Sequence, residues 1–209
     1  MIRLIYNLLF PLGFLFFLPA YLLKMRRRGN YQRNFGQRFG CYSETVRMRL
    51  AAHSFTWIHA VSVGEVAIAL KLAAKLRELD QTFHCALTTT TTTGFAFAEK
   101  EAPEWIEVMY NPLDFWPIVR RAFAMIRPVR LLLVEAEVWP NLAAAARDRQ
   151  IPLALVNARL SPRSCAYLLV VVDQRIGRCV MAGNGAVVCQ FGQNGLCQHL
   201  AQLHAHLIK

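Results

Sequence analysis

From Leu4 to Leu23 apolar side chains follow one another almost without a break, interrupted by Tyr6, Asn7, Pro11, Gly13, Pro19 and Tyr21, and the run closes on Lys24-Met25-Arg26-Arg27-Arg28. About twenty such residues suffice to cross a bilayer core. The basic cluster follows the apolar run rather than preceding it, which predicts an uncleaved anchor with the remaining chain on the cytoplasmic side. Two prolines keep a kinked or interface-lying helix open as the alternative to a spanning one. Residues 1–28 are read as membrane anchor and basic flank.

Beyond the anchor, residues 29–54 form a juxtamembrane segment. Aromatic and basic residues alternate from Gly29 to Gly40, suited to lipid phosphates or to a solvated linker, and a short charged helix is expected over Thr45–Ala52. From residue 55 the periodicity then switches repeatedly between strand and helix. Phe55–Val61 predicts a strand buried on both faces, and Val66, Leu70, Ala73, Leu76 and Leu79 mark a helix beginning near Ser62. Strands are expected at Phe83–Leu87, Trp105–Tyr110, Arg130–Val134 and Ile151–Val156. The intervening helices are a short one ending at Glu101, one over Phe115–Ile126, and one with Pro140 in its first turn running to Arg149. Such alternation implies βαβ units and an α/β fold, a single Rossmann-like parallel-sheet domain over residues 55–164.

In a sheet of this kind ligands lie beyond the carboxyl ends of the strands. That edge collects Glu65, the Thr88–Thr93 run, Asp114, Glu135, Glu137 and Asn157. Ser62-x-x-Glu65 is also the pattern of a helix-capping box, so Glu65 has a structural reading beside the catalytic one. The threonine run can bind phosphate or simply end a strand. No GxGxxG or GxxxxGK[ST] occurs, and the histidines and cysteines lack metal-ligand spacing, so neither a metal nor a cofactor is expected.

Composition changes the picture in one respect. Lysine and arginine total 24 against 13 acidic residues, a net charge of +11, and no acidic residue precedes Glu44. A basic block directly after an apolar segment favours an anionic membrane surface over nucleic acid, for which no module is present. Six cysteines without a CxxC pair read as reduced thiols.

Four motifs in order, Trp57–Glu65, Asn111-Pro112-Leu113-Asp114, Glu135-Ala136-Glu137-Val138-Trp139-Pro140-Asn141 and Asn157-Ala158-Arg159-Leu160-Ser161-Pro162-Arg163-Ser164, resemble the N-terminal half of a 3-deoxy-D-manno-octulosonic acid (Kdo) transferase of lipopolysaccharide synthesis. The resemblance implies a GT-B-type glycosyltransferase whose N-terminal domain takes a lipid A precursor and whose other domain binds the donor CMP-Kdo, a substrate rather than a cofactor. By the same resemblance Glu65 is the general base and Glu135 acts on the transition state. Ser62, Gly64, Arg33, Arg38, Asn157 and Arg159 are the candidate acceptor-binding residues, at the inner membrane's cytoplasmic face.

After Ser164 the pattern of the family is lost. Residues 165–209 carry Asp173, Arg175, Arg178 and Lys209 as their charges alongside four cysteines and three histidines, as a frameshifted or spliced-on tail would. The expectation is an acceptor-side chain that binds CMP-Kdo only if a donor domain is supplied. The alternative is a membrane-anchored lipid-binding or interaction protein without chemistry.

Overall fold

The structure is a computed structural model and describes residues 2–27, 34–135, 139–158, 178–182 and 186–191. Helix α1 (Ile2–Arg27) precedes a short 3-10 turn (Phe35–Phe39) and α2 (Glu44–Ala52). The domain then runs β1 (Phe55–His59), α3 (Val63–Leu79), β2 (His84–Thr89), α4 (Thr92–Glu101), β3 (Ile106–Tyr110), α5 (Trp116–Ile126), β4 (Arg130–Val134), α6 (Pro140–Asp148) and β5 (Leu153–Ala158). Two further strands, β6 (Arg178–Ala182) and β7 (Ala186–Phe191), complete it.

The sheet order is β3-β2-β1-β4-β5-β7-β6. Strands β1 to β5 are mutually parallel, and β7 and β6 add antiparallel at the β5 side. The expected parallel α/β domain is therefore present, extended by a hairpin drawn from the residues read as a divergent tail. Every residue of β1 is buried, as its central place between β2 and β4 requires. Alternation along the strands divides the core in two. Trp57, Leu131 and Leu133 join Phe123 and Leu142 of α5 and α6 on one face, while Ile58, Leu132 and Val134 meet Val66 and Leu72 of α3 on the other.

Local chemistry sets the helix ends. Ser62 and Thr91 cap α3 and α4 through their hydroxyls, and prolines occupy the first turns of α5 and α6. Helix α5 stops where Arg127 turns left-handed, just before Pro128. The segment before α2 is no free linker over its described part. Gln37 accepts from the Tyr110 amide at 2.9 Å, and the buried Arg38 lies over the Tyr110 ring at 4.1 Å while donating to the Thr90 carbonyl at 2.8 Å.

Helix α1 rests on the domain by one stripe of its surface. Arg3 pairs with Asp148 at 3.0 Å, Asn7 and Asn141 exchange amide hydrogen bonds at 2.8 and 3.0 Å, and Phe10 stacks on Phe115. The other flank is bare: Leu4, Leu8, Leu12, Leu15 and Phe16 are all exposed.

Candidate functional site

The turn after β1 carries the first carboxylate. Glu65 sits in the first turn of α3, only 8% exposed, and both of its oxygens are engaged. Oε2 accepts from the Val61 amide at 2.9 Å and Oε1 accepts from the Ser62 hydroxyl at 2.8 Å, while the Ser62 hydroxyl accepts from the Glu65 amide at 3.4 Å. The capping box is thus formed, with its back-bond shifted to Val61. A carboxylate has about four lone-pair sites, so two bonds leave acceptor capacity for a ligand. Ser62 and Gly64 are exposed beside it, and the space where a Gly64 side chain would begin is open, with its nearest neighbour 4.0 Å away.

The second carboxylate follows the adjacent strand. β4 lies directly beside β1, with Leu133 opposite His59, and Glu135 projects from its end into solvent. Its φ of 63° is left-handed, unusual for a non-glycine residue, and its amide is fixed to the Val156 carbonyl at 2.8 Å. Asn157 at the end of β5 repeats the same posture, with φ of 57°. Glu65, Glu135 and Asn157 therefore occupy the same edge of the sheet on three neighbouring strands. Because the chain reverses direction of travel between β1 and β4, that edge contains the switch point where α/β sheets bind ligands.

Three sequence candidates fall outside the described residues: Arg33, Glu137 and Arg159. Arg38 is described, and it faces inward between Tyr110 and the Thr90 carbonyl. Three members of the threonine run are committed to structure. Thr89 and Thr91 both donate to the Val61 carbonyl, at 3.2 and 3.1 Å, and Thr91 also caps α4. Thr88 accepts from the Trp57 indole at 2.8 Å.

Asp114 lies on this edge too, but it holds protein rather than solvent. It accepts from the Asn141 and Leu142 amides at 3.0 and 2.8 Å, at the start of α6, and from Tyr6 of α1. Burial pushes its carboxyl up to about 6 despite these donors. Tyr6, Asn7 and Asn141 are the members of this cluster that sequence reading misses, because Tyr6 and Asn7 register only as interruptions of an apolar run. Their spacing from Arg3 and Phe10, one helical stripe, is the signal that was available. His59 is a second such group. Its Nδ1 lies 3.2 Å from the Thr88 carbonyl and 3.1 Å from the Thr88 hydroxyl, and its buried Nε2 has no hydrogen-bond partner. Among the described residues no cluster of histidine, cysteine and carboxylate side chains could hold a metal ion.

A family model described as 3-Deoxy-D-manno-octulosonic-acid transferase (kdotransferase) matches residues 33–189. A 3-deoxy-D-manno-octulosonic acid transferase of Bordetella pertussis is 36% identical over 186 residues, covering 84% of this chain and 41% of its own. The probable mitochondrial 3-deoxy-D-manno-octulosonic acid transferase of Arabidopsis thaliana is 34% identical over 111 residues, 53% of this chain and 25% of its own. That of Chlamydophila psittaci is 27% identical over 175 residues, 83% of this chain and 39% of its own. The chain thus spans less than half the length of each of these relatives. The family match continues beyond Ser164, across the position where the sequence pattern changes.

Proposed function

Because the chain belongs to the 3-deoxy-D-manno-octulosonic-acid transferase (kdotransferase) family, we propose that it supplies the acceptor side and the general base for transfer of Kdo from CMP-Kdo to a lipid A precursor. The observation that carries this reading is the nearly buried Glu65 carboxylate, held rigidly at the switch point between β1 and β4. A sugar hydroxyl is a poor nucleophile at neutral pH, so its proton must pass to a base as its oxygen attacks. In the proposed step that oxygen bonds to the anomeric carbon of Kdo, the bond from that carbon to the CMP phosphate breaks, and the proton moves to Glu65.

Positive charge develops on the sugar ring as CMP departs, as in glycosidic chemistry generally. Glu135, exposed and fixed in its left-handed turn on the neighbouring strand, is the carboxylate proposed to stabilise it. Direct displacement without a covalent intermediate predicts inversion at the anomeric carbon. Ser62, Gly64 and Asn157 are proposed to line the acceptor edge, with Arg33 and Arg159 contributing positive charge; Arg38, buried against Tyr110 and the Thr90 carbonyl, is withdrawn from that set. The proposed setting is the cytoplasmic face of an inner membrane, where an apolar helix and a lipid acceptor meet.

The test mixes the purified chain with CMP-Kdo and lipid A precursor, with and without the donor-binding half of a full-length relative. Transfer in the complemented mixture, lost in Glu65→Gln while acceptor binding persists, is the expected result. Transfer by the chain alone refutes the acceptor-side assignment. Unchanged transfer by Glu65→Gln refutes the base and leaves Glu65 as a helix cap.

A further inference from the structure

Helix α1 is the one described helix long and apolar enough to cross a membrane, over Arg3–Ala20. Its attachments to the domain forbid that path. The 26 residues of α1 extend about 39 Å. At its beginning, Arg3 is paired with Asp148, Asn7 with Asn141 and with the Trp116 amide at 3.1 Å, and Phe10 with Phe115. At its end, Arg27 is joined to Asn34 by a connection that reaches at most about 25 Å when fully extended.

Both ends of the helix are therefore tied to one folded body. A spanning helix would place residues 3–10 on the opposite side of a hydrocarbon core about 30 Å thick from residue 34 onward. Insertion of only the later turns fails as well. The return connection, Arg28-Gly29-Asn30-Tyr31-Gln32-Arg33, would have to recross the lipid with two arginine side chains.

The surface that remains is suited to lying in one leaflet. Arg3, Tyr6, Asn7 and Phe10 form the stripe turned to the domain, and Leu4, Leu8, Leu12, Leu15 and Phe16 are exposed away from it. Beside the docked stripe, a cavity of about 150 Å3 is lined by Arg3, Trp116, Arg120, Asn141, Asp148 and Arg149, three cations against one carboxylate. Trp116 is exposed with the Arg120 guanidinium 5.4 Å above its ring, an amphipathic pairing suited to headgroup depth.

We infer that α1 is an in-plane helix rather than a span, held by the Tyr6–Asp114 and Asn7–Asn141 contacts so that its apolar flank lies in one leaflet of an anionic bilayer. Asp114 follows β3 and Asn141 opens α6 after β4, so the latch occupies the same strand-end edge as Glu65 and Glu135. The bilayer surface is thereby brought to the mouth of the candidate site. A lipid acceptor reaches it by lateral diffusion, its headgroup rising into the site while its chains stay in the leaflet. This last step rests on the proposed acceptor; the topology does not.

The experiment places a protease-cleavable tag before Met1 of the full chain, reconstituted into sealed vesicles of phosphatidylethanolamine and phosphatidylglycerol. It scores the molecules whose domain is itself accessible from outside. The tag is expected to be cleaved without detergent, at a rate within threefold of that in detergent. A tag protected until detergent is added, or a chain that does not stay with the vesicles, overturns the inference. Amide exchange tests the latch separately: Asn7→Leu removes the acceptor of the Trp116 amide, so exchange at Trp116 should rise at least tenfold. Unchanged exchange there refutes the latch. Neither readout depends on Kdo transfer, so each can fail while the transferase reading stands.

Discussion

Replacing His59 by Phe removes a titration while retaining a flat ring of similar outline at the end of β1. In the folded protein the ring is wholly buried, and the charged form, with a hydrogen on both nitrogens, leaves the one on Nε2 without a hydrogen-bond partner. Desolvation accordingly lowers its proton affinity from 6.5 to about 4, against the raising effect of the Thr88 carbonyl. That displacement corresponds to about 3 kcal/mol. The sign follows from proton counting. Between pH 4 and 6.5 the unfolded chain binds the proton and the folded chain does not, so His59's contribution is complete above 6.5 and is lost as pH falls through 4.

Asp114 works in the opposite direction over nearly the same window. Its carboxyl moves from 3.8 to about 6, so the folded state holds the proton longer and stability falls as pH rises from about 4 to about 6. The two slopes largely cancel in the wild-type chain, and a single pH profile would conceal both. The difference between His59→Phe and wild type isolates the histidine. Urea unfolding followed by tryptophan fluorescence in mild non-ionic detergent, from pH 7.5 to 4, should show the variant gaining about 3 kcal/mol relative to wild type. The loss of one contact with Thr88 lowers the variant's starting stability without altering this trend, since the Thr88 carbonyl keeps the Ala60 amide at 3.0 Å. A difference that stays flat within about 0.5 kcal/mol across the range refutes the burial argument.

Two other substitutions probe the edge itself. Glu135→Gly relieves a left-handed non-glycine residue and should raise stability by about 1 kcal/mol in denaturant unfolding while abolishing transfer in a complemented enzyme; a loss of stability would show that the posture carries no strain. Gly94→Ala places a methyl 2.7 Å from the Thr89 hydroxyl and 2.8 Å from that of Thr91, so thermal unfolding should reveal a loss of about 1–3 kcal/mol, and an unchanged midpoint would contradict the close packing of the threonine turn.

The elements were legible where one periodicity dominated. Arg130–Val134 is a strand with the predicted bounds because an unbroken apolar run between Pro128 and the polar strand end admits little else. Strand β2 runs on to Thr89 because Thr88 and Thr89 find buried partners across the edge, which a local reading of threonines cannot supply. The place of Glu65 in a capping box was recoverable from the Ser62-x-x-Glu65 spacing, whereas the base role came with the family resemblance. The docking of α1 was not, since Asn7 meets Asn141 across 134 positions of sequence and Arg3 meets Asp148 across 145. Asp114 shows the same limit: its place at a strand end was evident, but its commitment to the α6 amides is a property of tertiary packing.

The peptide groups on either side of Val61 have a mechanical consequence. The Val61 amide is held by the Glu65 carboxylate, and its carbonyl receives hydroxyls from both Thr89 and Thr91, so three elements grip one residue. A segment clamped in this way cannot swing to close over a substrate. Glu65 behaves as an anvil: its oxygens stay where the turn fixes them, and a ligand that meets them has to be carried in and aligned. Mobility, in a cycle that uses this carboxylate, belongs to the incoming molecules.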